Sequence, residues 1–151
     1  MNTLRFFGIL LIILIYIVLG AKFNAGNGWF FSAIPFVVLF VASAFLDFSA
    51  FILVVLASAF FVNWQATLSL EMALFTALPL ICFLVRRLAA FRPMMGSLVL
   101  TAAGMSLFYV CVSWKAIVAS PVFFGGVIAA GVFTAFLLTA FFNFIYAKKE
   151  F

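Results

Sequence analysis

Histidine is missing from this chain of 151 residues, and only three acids occur: Asp47, Glu71 and Glu150. Without histidine, the commonest general base and the commonest metal ligand are both gone. The two cysteines, Cys82 and Cys111, lie far apart inside apolar segments, where a thiol packs as a small hydrophobe. They form no disulfide framework and define no redox compartment. Even with the scattered acids they fall short of any metal-site spacing. A glycine-rich phosphate loop is lacking too, since Gly125-Gly126 sits within an apolar run and no strand pattern precedes it. A hydrolytic site would need a serine beside a base, and Lys115 or Glu71 would be improvised partners. These absences argue against catalysis and against any cofactor.

Charge is scarce as well. Charged residues make up 7% of the chain and hydrophobic ones 70%, with a mean hydropathy of +1.46. A soluble domain carries roughly 25% charged and roughly 45–50% apolar residues. A chain this small has too much surface for its volume to hide the excess from water. Disorder demands the opposite composition, low in hydrophobicity and high in net charge. Lipid is the solvent that fits, so composition predicts an integral membrane protein. The net charge of +5 does not point to nucleic acid. Its basic residues form no continuous face and instead punctuate the apolar blocks.

A bilayer core of about 30 Å takes about 20 apolar residues as a helix, and about 17 suffice. The first span on that measure covers residues 4–20. It has the outline of a signal sequence, with a weak basic start and small residues at Leu19-Gly20-Ala21. Its length and the apolar remainder favour retention as a span. The block from Trp29 to Val62 is too long for one crossing, since about 34 residues make about 51 Å of helix. Asp47 would lie near its middle, at a cost of about 2.5–3.5 kcal/mol. A hairpin turning at Asp47-Phe48-Ser49 removes both difficulties and gives spans at about 31–46 and 51–62. Further spans are expected at about 68–85, 97–112 and 121–146. Pro79 should kink the fourth, Ser113-Trp114-Lys115 marks the exit of the fifth, and Ser120-Pro121 opens the sixth.

The expected fold is thus an all-α integral membrane protein, a single polytopic transmembrane domain over residues 1–151. It is a compact bundle of about six short transmembrane helices, with five as the alternative. Six spans gather Arg5, Arg86, Arg87, Arg92, Lys148 and Lys149 on one side and leave Lys22 and Lys115 on the other. The positive-inside rule then puts both termini in the cytoplasm. With a single crossing of the 29–62 block, Arg5 and Lys22 would exchange sides. The charge count would not change, so length and Asp47 decide the N-terminus.

Several residues are candidates for more than packing. Asn63, Trp64 and Gln65 form a polar interfacial turn, with Thr67 placed to cap the next helix. Glu71, in the first turn of that helix, could contact a substrate or a partner, or simply reach headgroup water. Asp47 invites the same question, with its turn position favouring water. Gly125 and Ala129, like Gly126 and Ala130, are small residues four apart, a spacing that permits close helix contact. They serve either a partner or, as the simpler reading, the monomer's own bundle; Gly131 and Ala135 repeat the spacing one face over. Arg86, Arg87 and Arg92, with Lys148 and Lys149, act as topology signals or lipid-headgroup contacts.

From the second span onward the order of features resembles the MreD family, the small rod-shape-determining membrane proteins of bacteria. The matching pieces are Pro35, residues 57–62, the turn Asn63-Trp64-Gln65 with Thr67 and Ser69, residues 70–85, Arg86-Arg87, and Phe91-Arg92. They cover residues 34–109, about half the chain. Asn63 stands where the family usually has an acid, and the glycine expected shortly after it is absent. The resemblance implies a non-enzymatic component of the cell-wall elongation machinery, in the bacterial inner membrane, binding other membrane proteins. It also implies a fold like the six-helix substrate-binding subunits of energy-coupling-factor transporters. A substrate-binding transport subunit is therefore the second expectation, and it requires an enclosed polar pocket near one face. Neither expectation involves nucleic acid; the lipid bilayer is the common partner.

Overall fold

The computed structural model describes residues 10–18, 33–62, 70–89 and 92–147. The regular secondary structure of these segments is entirely helical. Six helices follow in chain order: α1 over residues 10–18, α2 Ala33–Ala42, α3 Phe48–Val62, α4 Leu70–Ala89, α5 Pro93–Ala119 and α6 Pro121–Ala147. Several are rich in Val, Ile and Phe, which in water favour strands. A medium that offers the backbone no hydrogen bonds reverses that preference, because a helix satisfies its N–H and C=O groups within one segment.

Local chemistry sets the helix ends. α3 starts directly after Asp47, a residue type favoured at N-caps, and the Asp47 carbonyl accepts the Phe51 N–H at 2.8 Å. Pro93 and Pro121 open α5 and α6, where the missing N–H is not needed and φ is already helical. α4 continues through Pro79. Non-helical backbone occurs instead inside α5, at Ser113 (φ −133°, ψ 33°). The helix then resumes to Ala119 rather than ending near Val112, since no Gly or Pro follows before Pro121.

The 10-residue helix α2 forms the centre. Every residue from Pro35 to Ala42 is buried, as expected of a helix that is apolar all round. Phe36 meets Phe108 of α5 at 5.0 Å, and Phe40 covers Gly104 one turn earlier on that helix. α2 and α5 are therefore antiparallel. Phe36 also meets Phe75 of α4 at 5.6 Å. Past the other end of α2, Phe48 and Phe51 meet Phe83 of α4 at 5.5 and 5.0 Å, so α2 and α4 point the same way. α6 shares that direction, with Gly131 beside Val37 and Phe142 5.2 Å from Phe45. Ile13 and Tyr16 of α1 face Val38 and Val41 of α2 and Leu138 and Phe142 of α6 around an apolar cavity of about 30 Å³.

Between α2 and α3 the chain turns. The N–H groups of Ala44 and Phe45 bond three residues back, to Val41 and Ala42 at 2.9 and 3.0 Å, and Asp47 is exposed just beyond. Farther along α3, Val54, Val55, Ser58 and Ala59 are all buried. α3 accordingly runs back along the bundle instead of projecting from its end.

The outside is as greasy as the inside. Leu88 and Val122 are each 88% exposed, and Leu53, Phe60, Phe133 and Phe144 all exceed 60%. Three helical segments, Leu70–Ala89, Met94–Ala119 and Pro121–Phe144, are long and apolar enough to cross a membrane. Lipid accepts such a surface, whereas in water apolar patches this extensive drive association.

Candidate functional site

One end of the bundle collects the polar chemistry. The α2–α3 turn, the C-terminal ends of α4 and α6 and the start of α5 all lie there. Arg86 continues the inward stripe of α4 made by Phe75, Leu78, Pro79, Cys82 and Phe83, so helical periodicity carries a guanidinium indoors. It is 9% exposed, and its Nη1 donates to Ser97 Oγ on α5 at 3.3 Å. A buried cation requires such polar contacts. The next residue, Arg87, falls on the outer side, with its guanidinium 5.5 Å from the centroid of the Phe83 ring, a cation–π distance. Arg92 is exposed just before α5. Three arginines that look alike in the sequence thus divide into one interior tie between helices and two outward charges. Lys148 and Lys149 lie outside the described residues.

The hydroxyls divide in a similar way. Ser58, Thr76, Ser106 and Thr134 each donate to the carbonyl four residues back, the usual arrangement for a hydroxyl on a membrane helix. Thr101 and Thr139 do not: both are fully buried, and their Oγ1 atoms have no partner. Thr101 lies one turn from Ser97 on the inner face of α5, and Thr139 one turn past Ala135 on that of α6. The four-residue spacing of Ser97, Thr101 and Met105 is the sequence signal that could have marked this stripe.

At the opposite end of α5, the break at Ser113 opens a crevice of about 460 Å³ lined by Cys111, Val112, Ser113, Trp114, Lys115 and Ala116. Ser113 itself is 6% exposed, and its hydroxyl has no partner. Trp114, Lys115 and Cys111 are exposed around it.

Small residues do two different jobs. Gly104 and Gly131 are buried at helix contacts, where an added Cβ would overlap the Phe40 ring and the Met105 sulfur respectively. Ala135, one turn past Gly131, is buried as well. Gly125 and Gly126 are exposed, with nothing within 4 Å of where a Cβ would stand. Ala129 is also exposed, and Ala130 is half-buried. On this face the bundle turns Gly125 and Gly126 outward, and it uses Gly104 and Gly131 for its own close approaches. Glu71 is exposed in the first turn of α4. Asn63, Trp64, Gln65 and Thr67 lie outside the described residues.

These features define a class: an all-helical bundle with the surface of a membrane protein, a charged end, and an open face of small residues. Comparison with protein-family models, with curated proteins and with solved structures found no match.

Proposed function

We propose that this chain is a multi-pass protein of the bacterial inner membrane, with both termini in the cytoplasm, that holds other membrane proteins together without turning over a substrate. The observation that carries this reading is the open face of α6. Gly125, Gly126 and Ala129 point away from the bundle, and small residues on an outward face let a second helix approach closely enough for van der Waals contact to hold it. The cavity between α1, α2 and α6, about 30 Å³ and apolar, has the size of a gap in internal packing. The MreD-like order of features supports a partner among components of cell-wall elongation. The gathering of Arg86, Arg87 and Arg92 with the C-terminal end of α6 supports a cytoplasmic C-terminus.

Depletion of the protein in its own cells is expected to distort cell outline, and the parent gene to restore it. Gly126→Leu should fail to restore it while leaving the protein's level and melting in detergent unchanged. Normal outline on depletion, or full rescue by Gly126→Leu, overturns the reading. Topology has its own check: a cysteine at Ser49, with Cys82 and Cys111 replaced, should resist impermeant thiol reagents added outside intact cells.

A further inference from the structure

The crevice at the break in α5 is chemically unlike the rest of the outer surface. Helices that cross lipid keep their backbone bonds within the segment, and irregular backbone survives where it is buried or meets something polar. Ser113 breaks that pattern while its side-chain oxygen stays buried and unbonded. The contrast with Ser58, Thr76, Ser106 and Thr134, which all bond their own helix, means that an available local solution is not used here. Beside it stand an ammonium group at Lys115 and an indole at Trp114, both exposed. Trp is favoured at headgroup depth, and a Lys near a helix end reaches the same layer. The 27 residues of α5 make about 40 Å of helix against about 30 Å of hydrocarbon. A span centred on the bilayer therefore reaches the edge of the hydrocarbon at about Ala116, which puts Trp114 and Lys115 within reach of the headgroups. Exposed Leu107 and Val110, on the hydrocarbon side of the crevice, offer apolar surface, which suits acyl chains.

We propose that this crevice binds the phosphate of an anionic membrane lipid, with Lys115 Nζ and the Trp114 indole N–H as donors and Ser113 as a further hydroxyl in its wall. The lipid's tails lie along Leu107 and Val110. A phosphodiester offers several acceptor oxygens and one negative charge, matching a set made of donors and one cation. The site is independent of the scaffold reading, because it lies at the far end of the bundle from the arginines and on a different helix from Gly126.

The test uses the full-length protein in detergent, with Trp29 and Trp64 changed to Phe so that Trp114 alone fluoresces. Phosphatidylglycerol, phosphatidylcholine and inorganic phosphate are titrated separately. Phosphatidylglycerol is expected to shift the Trp114 emission at concentrations about fivefold below those needed for phosphatidylcholine, the preference ordinarily associated with one lysine at a membrane surface. Lys115→Gln should abolish that preference, and Lys115→Arg should retain it. Inorganic phosphate should not compete. Equal affinity for the two lipids, or an unchanged preference in Lys115→Gln, overturns the proposal. Competition by free phosphate at the same concentrations overturns the lipid as the source of the phosphate. If the tryptophan changes disturb folding, a nitroxide on exposed Cys111 of the parent chain, with buried Cys82 protected, reads the same titrations.

Discussion

Gly104 and Gly131 stand in helix interfaces, while Gly125 and Gly126 stand on an open face, and the difference lies in what each glycine's neighbours require. At Gly104 the neighbour is the ring of Phe40, fully buried on α2 with no room to retreat. At Gly131 it is the end of Met105, a flexible side chain that can move. At Gly125 and Gly126 the bundle presents nothing at all. Spacing alone cannot tell these cases apart, because a four-residue repeat marks a face without saying which way the helix is rolled. Open glycines on a helix cost stability through backbone entropy, so a bundle that keeps two of them side by side draws no folding benefit from them. Under the proposed scaffold role, that benefit goes to a partner helix.

Substitutions can break or sharpen this contrast. The largest effect is expected at Gly104→Ala, where the new methyl meets an immobile ring. Thermal unfolding in detergent should show a loss of about 1–3 kcal/mol, and Gly104→Leu should not yield folded protein. Arg86→Met comes next. It removes the donor to Ser97 across α4 and α5 and should cost about 2 kcal/mol, with Arg87→Met, on the outer side, near neutral in the same assay. Thr101→Val and Thr139→Val each replace an unbonded buried hydroxyl by a methyl of the same shape and should raise stability by about 1 kcal/mol. A loss of similar size would mean that the hydroxyls are bonded. Smallest are Gly131→Ala, where Met105 gives way, and Gly125→Ala, where nothing is met. The first should be near neutral and the second a gain of a few tenths of a kcal/mol up to about 1 kcal/mol. A clear loss at Gly125→Ala would show that the face packs within the monomer after all.

Much of the fold was legible in the residues. The apolar mass dictated helices in lipid, Asp47 dictated a break in a run too long for one crossing, and Pro121 dictated a helix start. The rest depended on tertiary facts that no local pattern encodes. Pro79 sits inside α4, as a proline expected to kink that helix should, while non-helical backbone falls at Ser113, a residue with no intrinsic demand for it. Arg86 looked equivalent to Arg87 and Arg92 until the roll of α4 turned it inward. Ser97, its partner, carries no signal beyond its distance from Thr101 and Met105. The polar turn at Asn63-Trp64-Gln65, by contrast, remains a reading from sequence alone.

The enclosure of α2 has a consequence for how the protein is made. A ten-residue helix is about 15 Å long, half the thickness of the hydrocarbon layer, and it borrows its surroundings from α4, α5 and α6. The ribosome delivers those walls after the helix they surround. Until α6 has been made, the side of α2 that it covers has no wall, so α2 takes its final seat only when the last fifth of the chain arrives.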